Sequence, residues 1–242
     1  MIPRLAWAAL LACGCQFQVD AFDLGGGAGE MSRPPDFAVG YCDEPGAVGC
    51  WQFEDPLPTQ IARDGTLNGN NLTLDTATLV AGREGQALFV GDGSLVHAPH
   101  STSLDVSRLT IEAWINPTKI AGAAVVVDMD RQYELDFDAM GALHCIIAGG
   151  GDAHGGTNQL VAATWQHVAC TFDGASITVY YQGKQVGVQP HTLGIPTNMP
   201  NGLNVGGNSP TGSSPFFGLI DDVRILGVTR SAEQICADAG CM

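Results

Sequence analysis

The sequence predicts an all-β fold, a sandwich or barrel built from short antiparallel strands. Composition is the first reason: 32 of the 242 residues are glycine, 45% are hydrophobic and only 14% are charged. This profile suits many tight turns and lacks the Glu/Lys/Ala-rich blocks typical of helices. The second reason is the regular spacing of short apolar or alternating runs between turn signals, of which Asp173-Gly174 is the sharpest. The length fits one large sandwich rather than two domains.

Eleven segments are predicted as strands. The clearest is 110–116, where Ile111, Ala113 and Ile115 share one face of the strand. In chain order the predicted strands are 49–54, 87–90, 95–98, 110–116, 125–129, 133–138, 143–148, 167–172, 176–181, 203–206 and 217–226. Only the tail, 231–239, carries a helical period longer than a turn or two. The glycine-rich segment 149–156 lacks the lysine and the following helix of a phosphate-binding loop, so it is predicted to be a mobile loop.

The N-terminus carries an export signal. Residues 1–12 combine the positive charge of Arg4 with an apolar run too short to span a bilayer. Leu10-Leu11-Ala12-Cys13 resembles the lipobox of bacterial lipoproteins, which implies acylation of Cys13 and a lipid-anchored protein. Cys15 gives a weaker second lipobox, and an ordinary secretory signal is the alternative. Gly14 after the cysteine resembles lipoproteins sorted to the outer membrane, and residues 13–41 read as a flexible tether.

The net charge of −15 excludes several classes of partner. Nucleic-acid binding needs Lys and Arg to displace counterions from phosphates, and binding to anionic lipid surfaces needs basic clusters. An acidic surface fits an extracellular face and is compatible with divalent cations.

Six cysteines lie beyond the signal, at positions 42, 50, 145, 170, 236 and 241. In an exported chain they predict up to three disulfides, whereas no C-x-x-C pair supports a zinc site. Cys145 and Cys170 each lie in a β-like run, so we expect them to be joined. The remaining four can pair locally or across the two ends of the domain, and both arrangements stay open.

Four segments over residues 48–235 resemble, in order, the laminin-G-like, concanavalin-A-like jelly-roll domain of bacterial surface proteins. They are 50–54 with 62–70, 85–89 through 110–115, 164–174 with 179–184, and 217–225 with 230–235. The resemblance implies an antiparallel β-sandwich of jelly-roll topology over residues 42–242. It also implies a non-catalytic recognition module for carbohydrate or protein ligands at the cell envelope. The loops around 208–217 are the candidate contacts. Trp51, Trp114 and Trp165 fall in strand-like surroundings and are predicted to pack rather than to stack on ligands.

One strand raises an enzymatic alternative. Alternation places Glu134, Asp136 and Asp138 on one face, which resembles the E-x-D-x-E strand of laminarinase-like glycoside hydrolases. In that motif two glutamates act as nucleophile and acid/base, but here the last position is an aspartate, one methylene shorter. The plainer interpretation is a solvated strand face, because a shared fold does not confer activity. A structural adhesion protein without a small ligand is a third alternative.

Asp221 is the candidate metal ligand. In the strand 217–226, alternation puts it on the same face as Val223 and Ile225, where a carboxylate must be paired, hydrogen-bonded or metal-bound. The family resemblance brings the opening loop, with Asp64, Asn68 and Asn70, toward this strand. Oxygen ligands of this kind suit Ca²⁺, so calcium is the one cofactor that the sequence suggests. A carboxylate satisfied by the backbone amides of a loop is the alternative.

Overall fold

Two antiparallel eight-stranded sheets form a sandwich in the computed structural model, which describes residues 40–197 and 199–241. The predicted signal peptide, the lipidation site Cys13, the weaker candidate Cys15 and nearly all of the tether lie outside these residues. Within the described ranges, no helix is long and apolar enough to cross a membrane.

The first sheet runs, in spatial order, through β14 (Lys184–Pro190), β13 (Ser176–Tyr181), β12 (Gln166–Phe172), β7 (Leu109–Pro117), β16 (Gly218–Leu226), β5 (Gln86–Val90) and β4 (Thr78–Ala81), with β1 (Ala47–Trp51) also paired to β16. The second sheet runs through β11 (Gly151–His154), β10 (Leu143–Ile147), β9 (Tyr133–Phe137), β8 (Ala124–Met129), β15 (Leu203–Val205), β6 (Leu95–Ala98), β3 (Leu72–Asp75) and β2 (Ile61–Ala62). All recorded strand pairs are antiparallel, and a 3₁₀ turn (Thr102–Leu104) and the helix α1 (Ala232–Asp238) complete the fold. The predicted antiparallel sandwich is therefore present.

The inward faces of the two sheets make one apolar core. In β7, Ile111, Ala113 and Ile115 point inward, as their alternation predicts, and are fully buried. Trp51 is also fully buried, and its indole N–H donates to the backbone oxygen of Asn70. Trp114 packs differently, because it lies on the outer face of β7 beneath the Arg83 guanidinium.

A bulge in β16 corrects the predicted position of Asp221. The pairing register between β16 and β7 shifts between Asp221 and Arg224, and Asp222 adopts a left-handed φ of 48°. An extra residue in one strand reverses the alternation beyond it. Ile220 and Val223 therefore both point into the core, while Asp221 pairs with Trp114 on the outer face. The expectation that Asp221 shares a face with Val223 and Ile225 is wrong for this reason.

Five strands were not predicted, namely β2, β3, β4, β11 and β14. The most informative is β11, because the 149–156 segment was expected to be a mobile loop. Gly151 begins this strand, and a Cβ there would lie 2.5 Å from the Ile177 side chain and 2.9 Å from the His191 ring. Glycine is therefore required by close packing at this position rather than by loop flexibility.

The structure joins Cys145 to Cys170, as predicted, with a Cα–Cα distance of 5.6 Å. Cys145 lies in β10 of the second sheet and Cys170 in β12 of the first, so this disulfide crosses the core between the sheets. The other four cysteines take the local alternative, pairing Cys42 with Cys50 and Cys236 with Cys241.

A buried ionic network fastens both ends of the domain to the outer face of the first sheet. Glu112 of β7 is 1% exposed and lies 3.3 Å from both Arg224 and Arg230 and 3.2 Å from His167. The same two arginines also pair with Glu44, which precedes β1, and with Asp238 of α1. The N-terminal segment and the C-terminal helix are thus tied to one set of charges.

Tyr41 belongs to the folded domain, one residue before the predicted boundary at 42. Its hydroxyl donates to the backbone oxygen of Asp222 at 2.8 Å, and the Arg224 guanidinium lies over its ring. The tether therefore ends before this residue.

Candidate functional site

The outer face of the second sheet carries the strongest candidate site. Tyr133, Leu135 and Phe137 of β9 point into the core, so Glu134 and Asp136 point outward. Strand register then places further polar side chains around them. Asp128 of β8 lies opposite Glu134, His144 of β10 lies opposite Asp136, and Asp152 of β11 follows in the next strand. We call Asp128, Glu134, Asp136, His144 and Asp152 the acidic face.

Glu134 and Asp136 lie two residues apart on the outward face of one strand, where the charge of each influences the protonation of the other. Asp136 Oδ1 is buried and has no hydrogen-bond partner. The His144 ring lies 2.9 Å from Asp152 through Nδ1. The acidic face thus combines two neighbouring carboxyl groups with a histidine that is hydrogen-bonded to a third.

The environment favours protonation of this pair near neutral pH. Burial, followed by the charge of Asp136, raises the pKa of Glu134 to about 8. Burial likewise raises the pKa of Asp136 to about 7. Burial raises the pKa of Asp128 to about 7 as well, although the backbone amide of Ser209 donates to its carboxylate. Because burial, and after it the repulsion between like charges, disfavours the ionised forms, the pKa values of these carboxyl groups lie above those of exposed ones.

Asp138 does not complete a catalytic triplet. It follows the last residue of β9, and its Oδ1 accepts the backbone amides of Met140 at 2.8 Å and Ala142 at 2.9 Å. The amide of Ala142, above all, lowers the pKa of Asp138. A carboxylate that stabilises a turn in its ionised form is poorly suited to donate a proton to a leaving group.

A small pocket of about 70 Å³ opens beside Glu134. Asp128, Gln132 and Ile146 are among its lining residues, together with Arg131. Gln132 is only 1% exposed, and its Nε2 donates to Asp105. Its Oε1 atom has no hydrogen-bond partner. A ligand in this pocket can hydrogen-bond to the side chains of Asp128, Glu134 and Arg131, which line it.

The predicted calcium ligands make contacts within the protein. Both oxygens of Asp64 accept hydrogen bonds, from the amides of Cys50, Thr66 and Asn70 and from the Thr66 hydroxyl. Asn68 and Asn70 both donate to the backbone oxygen of Val48. These hydrogen bonds hold the loop residues together and against β1.

Asp221 makes its recorded hydrogen bonds elsewhere. It accepts from the backbone amides of Arg83 and Asp222, at 3.2 and 2.9 Å. In the described part of the chain, no group of three or more His, Cys, Asp or Glu side chains could hold a metal ion. Calcium binding therefore requires Asp64 to exchange amide hydrogen bonds for the ion, and it stays a prediction.

The loop at 208–217 offers a second, smaller surface. Phe216 is fully buried, but Phe217 is half-buried, with the Lys119 ammonium 3.5 Å from its ring centre. A pocket of about 290 Å³ lies beside these two residues, walled by small side chains at 121–124. The predicted contact region thus supplies one accessible aromatic ring.

The two stacked sheets and their strand order define the class of this protein. The chain belongs to the concanavalin A-like lectin/glucanases superfamily, whose family model matches residues 90–236. No curated protein sequence matches the chain significantly. The family membership establishes the jelly-roll fold that the four sequence segments predicted.

Solved structures with the same fold include carbohydrate-related proteins. Domain 4 of AbnA, a GH43 extracellular arabinanase from Geobacillus stearothermophilus in complex with arabinotriose, has a TM-score of 0.65 at 17% identity. That comparison covers 80% of this chain and 98% of the domain. The binding domain of Paraclostridial Mosquitocidal Protein 1 has a TM-score of 0.62 at 18% identity, over 82% of this chain and 52% of that one. Trypanosoma rangeli sialidase has a TM-score of 0.64 at 14% identity, over 82% and 33%.

Proposed function

We propose that this protein is an exported, non-catalytic module that binds carbohydrate on its acidic face. The observation that carries the proposal is the Glu134–Asp136 pair, whose half-buried carboxyl groups lie next to each other on the outward face of β9. Sugar hydroxyl groups donate hydrogen bonds to acceptors of this kind. The shared fold with a domain seen in complex with arabinotriose supports the same ligand class.

A glycoside hydrolase on the same strand is the second candidate. Glu134 and Asp136 could in principle supply an acid and a base, and the raised pKa of Glu134 favours the acid role. The structure weighs against it, because the backbone amides of Met140 and Ala142 already donate to Asp138. We therefore favour binding over hydrolysis.

A glycan array with the purified protein tests the proposed function. We expect binding to at least one glycan class, reduced by tenfold or more in Glu134→Gln, because the amide presents an NH₂ donor where the carboxyl group has a second oxygen for sugar hydroxyl groups. Asp92→Asn, in the exposed turn between β5 and β6, is a matched carboxyl-to-amide control and should bind as the unmodified protein does.

The same assay separates the alternatives. Reducing-sugar release from the bound glycan, abolished by Glu134→Gln, would contradict the non-catalytic proposal and support the hydrolase. Absence of binding to any glycan would favour the structural adhesion protein. Running the array with Ca²⁺ and with a chelator tests the site at Asp64, Asn68, Asn70 and Asp221, and equal binding in both conditions would count against calcium.

Export and lipid anchoring complete the proposal. The three disulfides support an oxidising compartment. If Cys13 is acylated, Cys13→Ala with Cys15 intact should move the protein from the membrane fraction to the soluble fraction. Release by Cys15→Ala, but not by Cys13→Ala, would show that the lipobox is the second one.

A further inference from the structure

Two adjoining pockets lie on the segment 52–65, which follows β1 and contains β2. Their volumes are about 180 and 280 Å³. Asp55 and Arg63 line both pockets, so the two form one continuous cleft, which we call the 52–65 cleft. β2 is the edge strand of the second sheet at the end opposite β11, and the residues that line the cleft are not those of the acidic face. The cleft is therefore a separate candidate site.

The Asp55 carboxylate is held in a fixed position. Asp55 is 9% exposed, and its Oδ2 accepts the backbone amide of Arg63 at 3.0 Å. Its Oδ1 lies 3.7 Å from Nη1 of Arg63, a separation too long for a hydrogen bond. This oxygen therefore keeps the capacity to accept a hydrogen bond from a ligand.

The Arg63 guanidinium lies in the same cleft and is open to solvent. The side chain is 74% exposed, and among the described residues its one ion pair is the long contact with Asp55. An exposed pair of this kind contributes little to stability. Arg63 can therefore donate hydrogen bonds to a ligand without breaking a structural contact.

The neighbouring acceptor and donor match two adjacent hydroxyl groups of a sugar. A carboxylate only accepts hydrogen bonds and a guanidinium only donates them, whereas a hydroxyl group does both. One hydroxyl group can thus donate to Asp55 while its neighbour accepts from Arg63. The remaining lining residues include polar side chains in the first pocket and apolar walls in the second, namely Gln52 and Glu54 in the first and Pro56, Pro58 and Ile61 in the second.

The charges and the size of the cleft favour a neutral glycan. Glu54 and Asp55 oppose an anionic ligand, and Arg63 opposes a cationic one. Each pocket is more than twice as large as the pocket of about 70 Å³ beside Glu134. Each therefore has room for a sugar ring rather than for one substituent of a ring.

We propose that the 52–65 cleft is a second carbohydrate-binding site, which holds two consecutive rings of a neutral glycan. Asp55 and Arg63 bind adjacent hydroxyl groups where the two pockets meet. The inference goes beyond the proposed function, because it does not depend on binding at the acidic face.

An NMR titration of the full chain with neutral tetrasaccharides tests the inference. The probes are the β-1,4-linked tetramers of glucose, xylose and mannose and the α-1,5-linked tetramer of arabinose. We expect at least one of them to cause saturable shifts of the backbone amides in 54–63. The same tetramer with methylated hydroxyl groups should not bind, because methylation removes the donors to Asp55. If none of the four probes causes a saturable shift at these amides, the inference is wrong.

Replacement of Arg63 connects the binding to the cleft. Because this side chain is exposed, Arg63→Gln should leave the fold intact but weaken binding at 54–63 by roughly tenfold or more. Arg108→Gln, at another exposed arginine, is the matched control and should bind as the unmodified protein does. Unchanged affinity in Arg63→Gln would overturn the inference.

Glu134→Gln separates the two sites. Binding at 54–63 should persist in this variant, and any shifts on β9 should persist in Arg63→Gln. Loss of binding at 54–63 in Glu134→Gln would contradict a second, independent site. Shifts on β9 without shifts at 54–63 would refute this inference and leave the proposed function standing. Shifts at 54–63 without shifts on β9 would support this inference and count against binding on the acidic face.

Discussion

Replacement of Glu112 by glutamine is expected to destabilise the domain by about 3–5 kcal/mol, because it removes the central anion of a buried network. Glu112 contacts Arg224, Arg230 and His167 within 3.3 Å, and all four side chains are buried. Burial alone would raise its pKa, but the hydrogen bond from His167 and the charge of Arg224 lower it. The amide leaves two buried guanidinium groups short of one negative charge.

Chemical denaturation measures this effect directly. The matched control is Asp75→Asn, which breaks an exposed pair with His97 at 3.7 Å and should cost less than about 1 kcal/mol. We also expect the Glu112→Gln variant to lose hydrogen-exchange protection in α1, since Arg224 and Arg230 hold Asp238. A loss of stability no larger than that of the control would show that the network is not what fastens the ends of the domain.

Removal of the Cys145–Cys170 disulfide is also expected to lower the free energy of unfolding substantially. The disulfide closes a loop of 26 residues, counted from the separation of 25, so the chain-entropy argument gives it a stabilisation of about 3 kcal/mol. Both cysteines are fully buried between the sheets, so alanine at the two positions also leaves unfilled volume in the core.

The control for this prediction is the double alanine variant of Cys236 and Cys241, whose short loop is worth about 2 kcal/mol or less on the same argument. Unfolding midpoints of the oxidised proteins give the comparison. If the loss for the core disulfide did not exceed that for the terminal one, the inter-sheet crosslink would have no special structural role.

Local patterns in the sequence account for much of the fold. Alternation in 110–116 and 133–138 identifies β7 and β9 and the faces that they bury. Alternation does not predict the face on which Asp221 lies. The bulge at this point depends on the pairing with β7 and on the left-handed conformation of Asp222, and the local pattern indicates neither of them. It also misses β2 and β14, since a two-residue strand and an exposed edge strand carry little apolar periodicity.

The sequence also predicts one part of the candidate site, whereas the other part depends on how the strands pair. Glu134 and Asp136 follow from the sequence, because they alternate within one strand. Asp128 and Asp152 lie near them only through the register of neighbouring strands, which depends on bulges and turn lengths. The burial that raises the pKa values of Glu134 and Asp136 depends on those neighbours too, so the solvated face expected from the sequence is in fact half-buried.

An NMR titration with a glycan identified on the array is the most direct test of the central claim. Binding on the acidic face predicts chemical-shift changes concentrated at Asp128, Glu134, Asp136, His144 and Asp152, with the tail of α1 unaffected. Shifts confined to Lys119 and Phe217, with none on β9 and β10, would contradict the account and place the binding site at the loop end of the sandwich.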